Sequence, residues 1–422
     1  MRVVLSLGVF TLTLAGVLLR PKGRHEAWWT MLGAGLMLLL HLATPAQAAR
    51  SVWASRDVLL FLLALLLLSA LLDRSGFFEW AAIQAARQAG GDAHRLYRNV
   101  FVLGAIITAT LSLDTTAVIL TPLVLAFVRR LRLPARPYIL ACAFVANTAS
   151  LLLPVSNLTN LLFVGAFHWS FVGFAARMAL PQMVALLVNY AGFRWLFRRE
   201  LPARLEVSAL PDPLSVVPNL SYFRGALLVL TCVLAGYFAA PLARCPPYVV
   251  GFAGCAVLAV WGAGTRQVRA SLVRDVAWPL FPFVAGLFVV VQGVENLGLA
   301  APAAAWLGRQ AGHPLAAMLG AALGASVASN VVNNLPAALL AIGVLKAAHA
   351  APPVVYAALL GTDIGPNLTL FGSLATMLVL TTARKAGEDV RGADFFKVGL
   401  LVMPLTLGAA VLALWLTWAV RG

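Results

Sequence analysis

The chain has 422 residues, of which 61% are apolar and 11% charged, with a mean hydropathy of +0.90 and a formal net charge of +16. A soluble globular chain is roughly 45–50% apolar and about 25% charged, so this sequence carries too little polar surface for water. Its repeated apolar runs have the length of transmembrane helices, about 18–25 residues, whereas a β-barrel would show short alternating segments. We therefore predict an all-α polytopic membrane protein. We assign its positive charge to cytoplasmic loops rather than to nucleic-acid binding.

The first half contains plain and interrupted apolar segments. Plain spans are predicted near residues 3–19, 27–43, 57–72 and 171–196. Two further segments are apolar but broken by polar residues: about 97–130, broken at LDTT, and about 137–167, broken at NTASLLLPVSNLTN. We predict that the first is a re-entrant hairpin and that the second is a broken helix.

Two shorter stretches of this half need separate interpretation. TPAQAAR, Thr44 to Arg50, resembles a signal-peptide cleavage site. A cleaved signal has one short apolar core, but here a full apolar run precedes the one before TPAQAAR, so we predict a loop. GFFEWAAIQAARQAGG is too mixed to cross the bilayer, and we predict a helix at the membrane interface.

The second half repeats this order. Plain spans are predicted near residues 223–242, 247–263, 277–294 and 397–419, with a mixed segment LGLAAPAAAWLGRQAG after the third. A second hairpin, about 313–345, is broken at ASNVVNNLP, and a second broken helix, about 352–380, at GTDIGPNLTLFGS. Corresponding interruptions lie roughly 215–219 residues apart. The sequence thus predicts two repeats, 1–197 and 223–422, joined by a central loop at 198–222.

The basic residues indicate how the repeats are oriented. If both hairpins re-enter, each half crosses five times, and because five is odd the halves are inverted. With the N-terminus outside, 23 basic residues, including Arg20 and Lys22, lie inside, and 7, including Arg421, lie outside. Arg177 stays within a span. This asymmetry agrees with the positive-inside rule, and it favours ten spans over twelve, which stay open. Inverted repeats with broken helices are typical of secondary transporters.

Acidic residues are rare at membrane depth in this sequence. Of 15 acids, only Asp114 and Asp363 lie inside the interruptions, one in each half. A carboxylate in the bilayer is costly unless it is solvated or paired, so it is a functional candidate by default. We predict that Asp114 and Asp363 couple transport to protons. The alternative is that each caps a broken helix end.

Neutral polar residues surround these acids and form the predicted substrate site: Thr115, Thr116, Asn147, Thr148, Ser156, Asn157, Asn330, Asn333, Asn334, Asn367 and Ser373. The alternative is that these side chains cap helix ends. No Arg, Lys or His lies at a break, and the four cysteines show no metal-ligand spacing. A neutral polyol-like solute or a cation therefore suits the site, and we predict no resident metal or cofactor. Without a Walker motif, the chain is predicted to use an ion gradient rather than to act as an enzyme.

The segments SLDTTAVILTP, ANTASLLLPVSNLTN, SNVVNNLP and GTDIGPNLTLFGSLATML resemble the ArsB-type arsenite efflux permeases of bacteria, within the wider ion-transporter superfamily. The similarity covers the whole chain and is strongest at the four breaks. It implies an inner-membrane carrier that exports arsenite and antimonite as neutral trihydroxides in exchange for protons. It also implies a scaffold domain and an elevator-like transport domain. One departure from the family pattern is Leu113 before Asp114, where many relatives have an amide.

Other functions stay open at this level. A sodium/proton antiporter of the same superfamily would use the acids to coordinate a cation, and a passive metalloid channel would conduct without a proton gradient. Some family members associate with a soluble ATPase, and such a partner is left open, as is the oligomeric state. Thiol capture of arsenic by Cys142 is disfavoured, because thiolates would trap the solute.

Overall fold

The structure is a computed structural model that describes residues 1–19, 24–202, 204, 211–240, 242–269, 271–298, 300–310 and 312–419. In these ranges every regular element is a helix, which confirms the all-α prediction. By length and composition, five helices can cross a membrane, or up to seven if each of two bent helix pairs is one span. The chain is thus a multi-pass membrane protein. The count of ten spans stays a prediction, and Arg20, Lys22 and Arg421 lie outside the described residues.

The helices of the first half are α1 (Arg2–Leu19), α2 (Glu26–Leu39), α3 (Pro45–Ala54), α4 (Arg56–Arg74), α5 (Phe77–Arg87), α6 (Ala93–Thr110), α7 (Leu113–Thr115), α8 (Thr121–Arg130), α9 (Ala135–Thr148), α10 (Leu158–Phe167) and α11 (Phe171–Phe197). Those of the second half are α12 (Leu220–Ala239), α13 (Pro247–Gly264), α14 (Leu272–Asp275), α15 (Leu280–Glu295), α16 (Ala300–Arg309), α17 (Pro314–Val332), α18 (Asn334–Ala347), α19 (Pro352–Ile364), α20 (Leu374–Lys385) and α21 (Gly392–Ala419).

The prediction of a loop at TPAQAAR is wrong, because this stretch begins helix α3. Thr44 accepts a hydrogen bond from the backbone N–H of Gln47 at 3.2 Å, and the Gln47 side chain accepts one from the backbone N–H of Thr44 at 2.9 Å. Pro45 occupies the first helical position, where its missing N–H costs nothing. This capping box is a sequence signature of a helix N-terminus.

The first interruption lies ahead of the predicted LDTT. Helix α6 ends at Thr110, and the chain turns at Leu111 and Ser112. The Ser112 hydroxyl caps α7 by accepting from the backbone N–H of Thr115 at 3.1 Å. A π-helical turn, Thr116–Leu120, then joins α7 to α8, so residues 113–130 run as one helix. LDTT therefore begins a helix rather than breaking one.

The other three interruptions lie within the polar stretches named above. Between α9 and α10 the chain forms two short 3₁₀ turns, Ala149–Leu151 and Pro154–Ser156. Between α17 and α18 the break is a single residue, Asn333, with φ at 76°. Between α19 and α20 a 3₁₀ turn, Gly365–Leu368, precedes an extended stretch. The arrangement of these segments as two inverted repeats stays a prediction.

Two pairs of helices approach closely at a glycine, and at the first of them no larger residue fits. A Cβ on Gly361 of α19 would clash with the carbonyl oxygen of Ala322 on α17. On α11, a Cβ at Gly192 would lie 3.2 Å from Val402 of α21. These close approaches bring α19 against α17 and α21 against α11.

Candidate functional site

Four helices begin at one small cavity. They are the helix that starts with α7, together with α10, α18 and α20, and residues from the first turn of each line a space of about 40 Å³. The first N–H groups of a helix have no partner within it and carry partial positive charge. Several of these N–H groups already have partners, since side chains accept from those of Thr115, Thr159 and Ala375, and the N–H of Asn334 donates to the carbonyl of Gly372 at 2.8 Å. The positive ends of four helix dipoles nevertheless converge on the cavity.

Polar side chains from these N-termini also line the cavity: Asp114, Asn157, Asn333, Asn334 and Ser373. Asn157 and Ser373 act as N-caps, since their side chains accept from the backbone N–H groups of Thr159 and Ala375 at 3.2 Å. A buried water needs about 10–15 Å³ for its centre, so the cavity has room for roughly three oxygen atoms. This is the size of a small hydroxylated solute.

Asp114 lies at the edge of this cavity. It is half-buried in the first turn of the helix, and its carboxylate has no hydrogen-bond or ion-pair partner among the described residues. Because Ser112 caps this helix, the interpretation of Asp114 as a cap is wrong. The carboxylate is instead available to a solute or a proton.

A larger cavity of about 580 Å³, which we call the vestibule, adjoins the small one. The two share Asp114, Leu280, Phe283 and Leu374 as lining residues. The vestibule lies where α2 begins and α4 ends, which is the predicted cytoplasmic side. It would lead a solute from that side to Asp114.

Acidic side chains dominate the polar lining of the vestibule. Besides Asp114 they are Glu26, Asp73 and Asp275. Arg74 pairs with Asp275 at 2.5 Å, and His25 lies 2.8 Å from Glu26. This concentration of carboxylates disfavours anions and admits neutral solutes or cations.

Asp363 lies in different surroundings. It is fully buried in the last turn of α19, where one carboxylate oxygen accepts from the hydroxyls of Thr159 at 2.5 Å and Thr362 at 3.3 Å. Its other oxygen has no partner among the described residues. Asp363 caps no helix, and it lines neither of the two cavities.

A cluster of amides, which we call the clasp, joins the two broken helices. Asn147 donates to Asn367 and to Thr376, each at 2.9 Å. Asn367 donates to Thr148 at 2.9 Å, and Thr148 also accepts from Asn189 of α11 at 2.9 Å. All are buried. The predicted site residues Asn147, Thr148 and Asn367 thus bind one another and line neither cavity.

The remaining predicted residues are placed as follows. Thr115 lines the vestibule, and its hydroxyl lies 2.9 Å from that of Ser69 on α4. Thr116 bonds to Thr108 at 2.7 Å, and Ser156 donates to the carbonyl of Ala109 at 2.7 Å, so both fasten α6 to the breaks. Asn330 donates to the carbonyl of Gly365 at 2.8 Å. These three residues support the site without lining it.

Some functional features escaped the sequence analysis. We expected the vestibule acids to lie in loops or at span ends. We interpreted α4 and α15, whose side chains also line the small cavity, as plain membrane spans. One signal was present in the sequence: each break contains a polar residue followed by leucine, at Ser112, Asn157, Asn334 and Ser373. The same pair also occurs in these stretches at Ser150, Asn160, Asn367 and Thr369, so this signal alone does not locate the helix starts. No group of three metal-ligating side chains occurs in the described part of the chain.

Comparison of the sequence with known proteins finds relatives along almost the whole chain. The family model described as "Arsenical pump membrane protein" matches residues 5–418. An arsenical pump membrane protein of Escherichia coli is 31% identical over 435 residues, covering 98% of this chain and 100% of the relative. One of Yersinia enterocolitica is equally similar, at 31% over the same shares. A putative one of Bacillus subtilis is 24% identical over 97% of this chain and 99% of its own.

A solved structure is similar in fold. The crystal structure of the Alcanivorax borkumensis YdaH transporter, described as having an unusual topology, aligns with a TM-score of 0.62 at 17% sequence identity. The alignment covers 99% of this chain and 98% of that one. The similarity therefore extends over the whole helical architecture.

Proposed function

Because the chain belongs to the arsenical pump membrane protein family, we propose that it is a secondary active transporter that exports arsenite and antimonite. The solutes are carried as neutral trihydroxides from the cytoplasm across a bacterial inner membrane, in exchange for protons. The observation that carries the proposal is the cavity at which four helices begin and at which Asp114 has no partner among the described residues.

The cavity suits a small trihydroxide in size and in hydrogen bonding. The side-chain amide of Asn334 can donate to a hydroxyl oxygen, Asp114 can accept from a hydroxyl hydrogen, and the positive ends of the helix dipoles favour the remaining oxygens. The acidic vestibule would keep out arsenate and other anions and would admit the neutral form. Neither Arg nor Lys is among the residues that line the small cavity, so a solute bound there does not have to be negatively charged.

Asp114 is our first candidate for proton coupling, since it borders both cavities and has no partner in the described part of the chain. In the proposed cycle, a proton from outside neutralises the carboxylate and leaves on the cytoplasmic side, and the charged site then accepts the trihydroxide. One charge moving down the membrane potential supplies about 2.3 kcal/mol per 100 mV. Asp363 is the second candidate, because the hydroxyl of Thr159 donates a hydrogen bond that stabilises the charged carboxylate.

We propose that the two broken helices, joined by the clasp, form the moving part of the protein. Because Asn147 and Asn367 tie the two broken helices together, these helices would move as one body against α4 and α15. Such a body would carry the cavity between the two membrane faces in an elevator-like step.

The test is arsenite uptake into inside-out vesicles or proteoliposomes with and without an imposed pH gradient. Wild type should respond to the gradient, and Asp114→Asn should lose that response while still inserting in the membrane. Asp389→Asn is the matched control, since this exposed carboxylate pairs with Arg384 away from the cavities. Full coupling in both Asp114→Asn and Asp363→Asn would refute the assignment of protons to these acids.

The vestibule carboxylates favour one alternative, a sodium/proton antiporter. Sodium-dependent dequenching of a pH-sensitive dye in the same vesicles would identify it. Uptake that ignores the gradient and shows no counterflow would instead indicate a passive metalloid channel. Copurification of a soluble ATPase would indicate a partner subunit.

A further inference from the structure

The small cavity has two unlike walls. All of its polar lining residues come from the four helix starts described above. The helix starts also contribute leucines to the lining, and the rest of it comes from α4 and α15, where every lining residue is apolar: Leu62, Leu280, Phe283 and Val284. The part of the lining formed by α4 and α15 therefore offers a solute no hydrogen-bonding side chain.

Two groups on the polar wall lack partners and so indicate a ligand. Asn334 is only 6% exposed, and its side-chain amide makes no hydrogen bond to any described residue. The Asp114 carboxylate is likewise unpaired among them. Buried polar groups without partners are costly, and a hydroxylated solute between these two side chains would satisfy both.

The shape of the solute matches this division. In a trihydroxide of trivalent arsenic or antimony the three hydroxyls lie on one side of a pyramid, and a lone pair occupies the apex. The hydroxyl side can bind the helix starts, and the apex, which forms no strong hydrogen bond, can face carbon. A tetrahedral oxyacid has a fourth oxygen at that position.

We infer that Leu62, Leu280, Phe283 and Val284 determine specificity, by accepting the lone-pair face of a pyramidal trihydroxide and rejecting tetrahedral oxyacids. This inference rests on the proposed function and deepens it. A fourth hydroxyl pressed against this wall would lose its water and gain no partner, which costs roughly 10- to 100-fold in affinity. Rejection beyond about 100-fold is not expected from an apolar wall alone.

The test compares arsenite with orthosilicic acid, which is also neutral but carries four hydroxyls. Each is used to inhibit uptake of labelled arsenite into inside-out vesicles, and the ratio of the two inhibitory concentrations is measured. Val284→Thr puts a hydroxyl on the wall with little change in shape. Leu62→Asn places a longer polar side chain on the wall from α4, as a second variant in case the threonine hydroxyl bonds to the backbone of its own helix.

Val294→Thr is the matched control, since Val294 is on the same helix, is also buried and lines neither cavity. In wild type and in the control, silicic acid should be at least 10-fold weaker than arsenite. In Val284→Thr or Leu62→Asn this ratio should fall by about 10-fold. Because the readout is a ratio, a general loss of folded protein does not mimic the effect.

The outcomes separate the inference from the function beneath it. Absence of arsenite uptake in wild type would refute the proposed function itself. Arsenite uptake with silicic acid as an equal competitor in wild type would overturn the inference and leave the function standing. The inference also fails if both wall variants keep the wild-type ratio.

Discussion

Replacing Asn147 by leucine should destabilise the protein more than any other single change in the clasp. Asn147 is fully buried, and its amide nitrogen is the hydrogen-bond donor that the structure gives to both Asn367 Oδ1 and Thr376 Oγ1. Leucine has the same branching, with bulkier methyl groups in place of the amide oxygen and nitrogen, and the same change at a second clasp residue controls for this difference in packing. Each of the two stranded acceptors costs about 1–3 kcal/mol, so we expect a loss of about 2–6 kcal/mol.

The same substitution at Asn367 should cost less, although the two residues look equivalent. Without Asn367, Thr148 still accepts from Asn189, and Asn147 still donates to Thr376. These two partners each keep one hydrogen bond, and the third, the carbonyl of Phe144 at 3.4 Å, lies within helix α9, so the expected loss is about 1 kcal/mol. The prediction is therefore an order: Asn147→Leu is less stable than Asn367→Leu.

The chain carries its own reporters for this measurement. Cys142 and Cys255 are buried, whereas Cys232 is exposed. Cys232 faces outward from the span α12, where detergent covers it, and Cys245 is half-buried. With these two replaced by serine, a maleimide dye that fluoresces on reaction will label the two buried thiols only on unfolding, which gives a melting curve in detergent. If Asn367→Leu melts at or below the temperature of Asn147→Leu, the account of which acceptors are stranded is incorrect.

Two further predictions concern backbone geometry. Gly361→Ala should lower the yield of folded protein in gel filtration, since its Cβ meets the Ala322 carbonyl, whereas Gly324→Ala, with nothing within 4 Å, should not. Equal yields would contradict the close approach of α17 and α19. At Asn333, with φ at 76° and a 3.0 Å bond to the Phe371 carbonyl, both Ala and Gly lose the bond, but only Ala is strained. The free energy of unfolding of Asn333→Ala should therefore be about 1 kcal/mol lower than that of Asn333→Gly, and its melting temperature lower as well. The reverse order would contradict the strain argument.

Much of the helical layout follows from local chemistry. Apolar length gives α11 and α21, and the polar stretches around Asn157 and Asn333 show where helices end. The errors were also local. At TPAQAAR we predicted a loop, although Thr44 and Gln47 form a capping box that begins a helix. At the first break Asp114 drew attention, while Ser112 two residues earlier is the cap.

The site was predictable only in part. Asp114 stood out because a carboxylate within apolar sequence is rare, and the structure places it at the cavity. The bond between Asn147 and Asn367 joins residues 220 positions apart, so no local pattern reveals it. Leu62 and Phe283 are ordinary residues of apolar spans. Only tertiary packing turns them toward a polar cavity rather than toward lipid.

The π-helical turn at Thr116–Leu120 has a consequence for how this carboxylate is aimed. Such a turn holds one residue more than the α-helical register allows, and each residue rotates an α-helix by about 100°. Relative to α8, which is anchored by its own packing, Asp114 is therefore swung by about a quarter-turn from where an uninterrupted helix would point it. The number of residues in this turn therefore sets the direction in which the Asp114 side chain points. Deleting one residue there would leave the composition of the cavity nearly unchanged but would turn the carboxylate away from it.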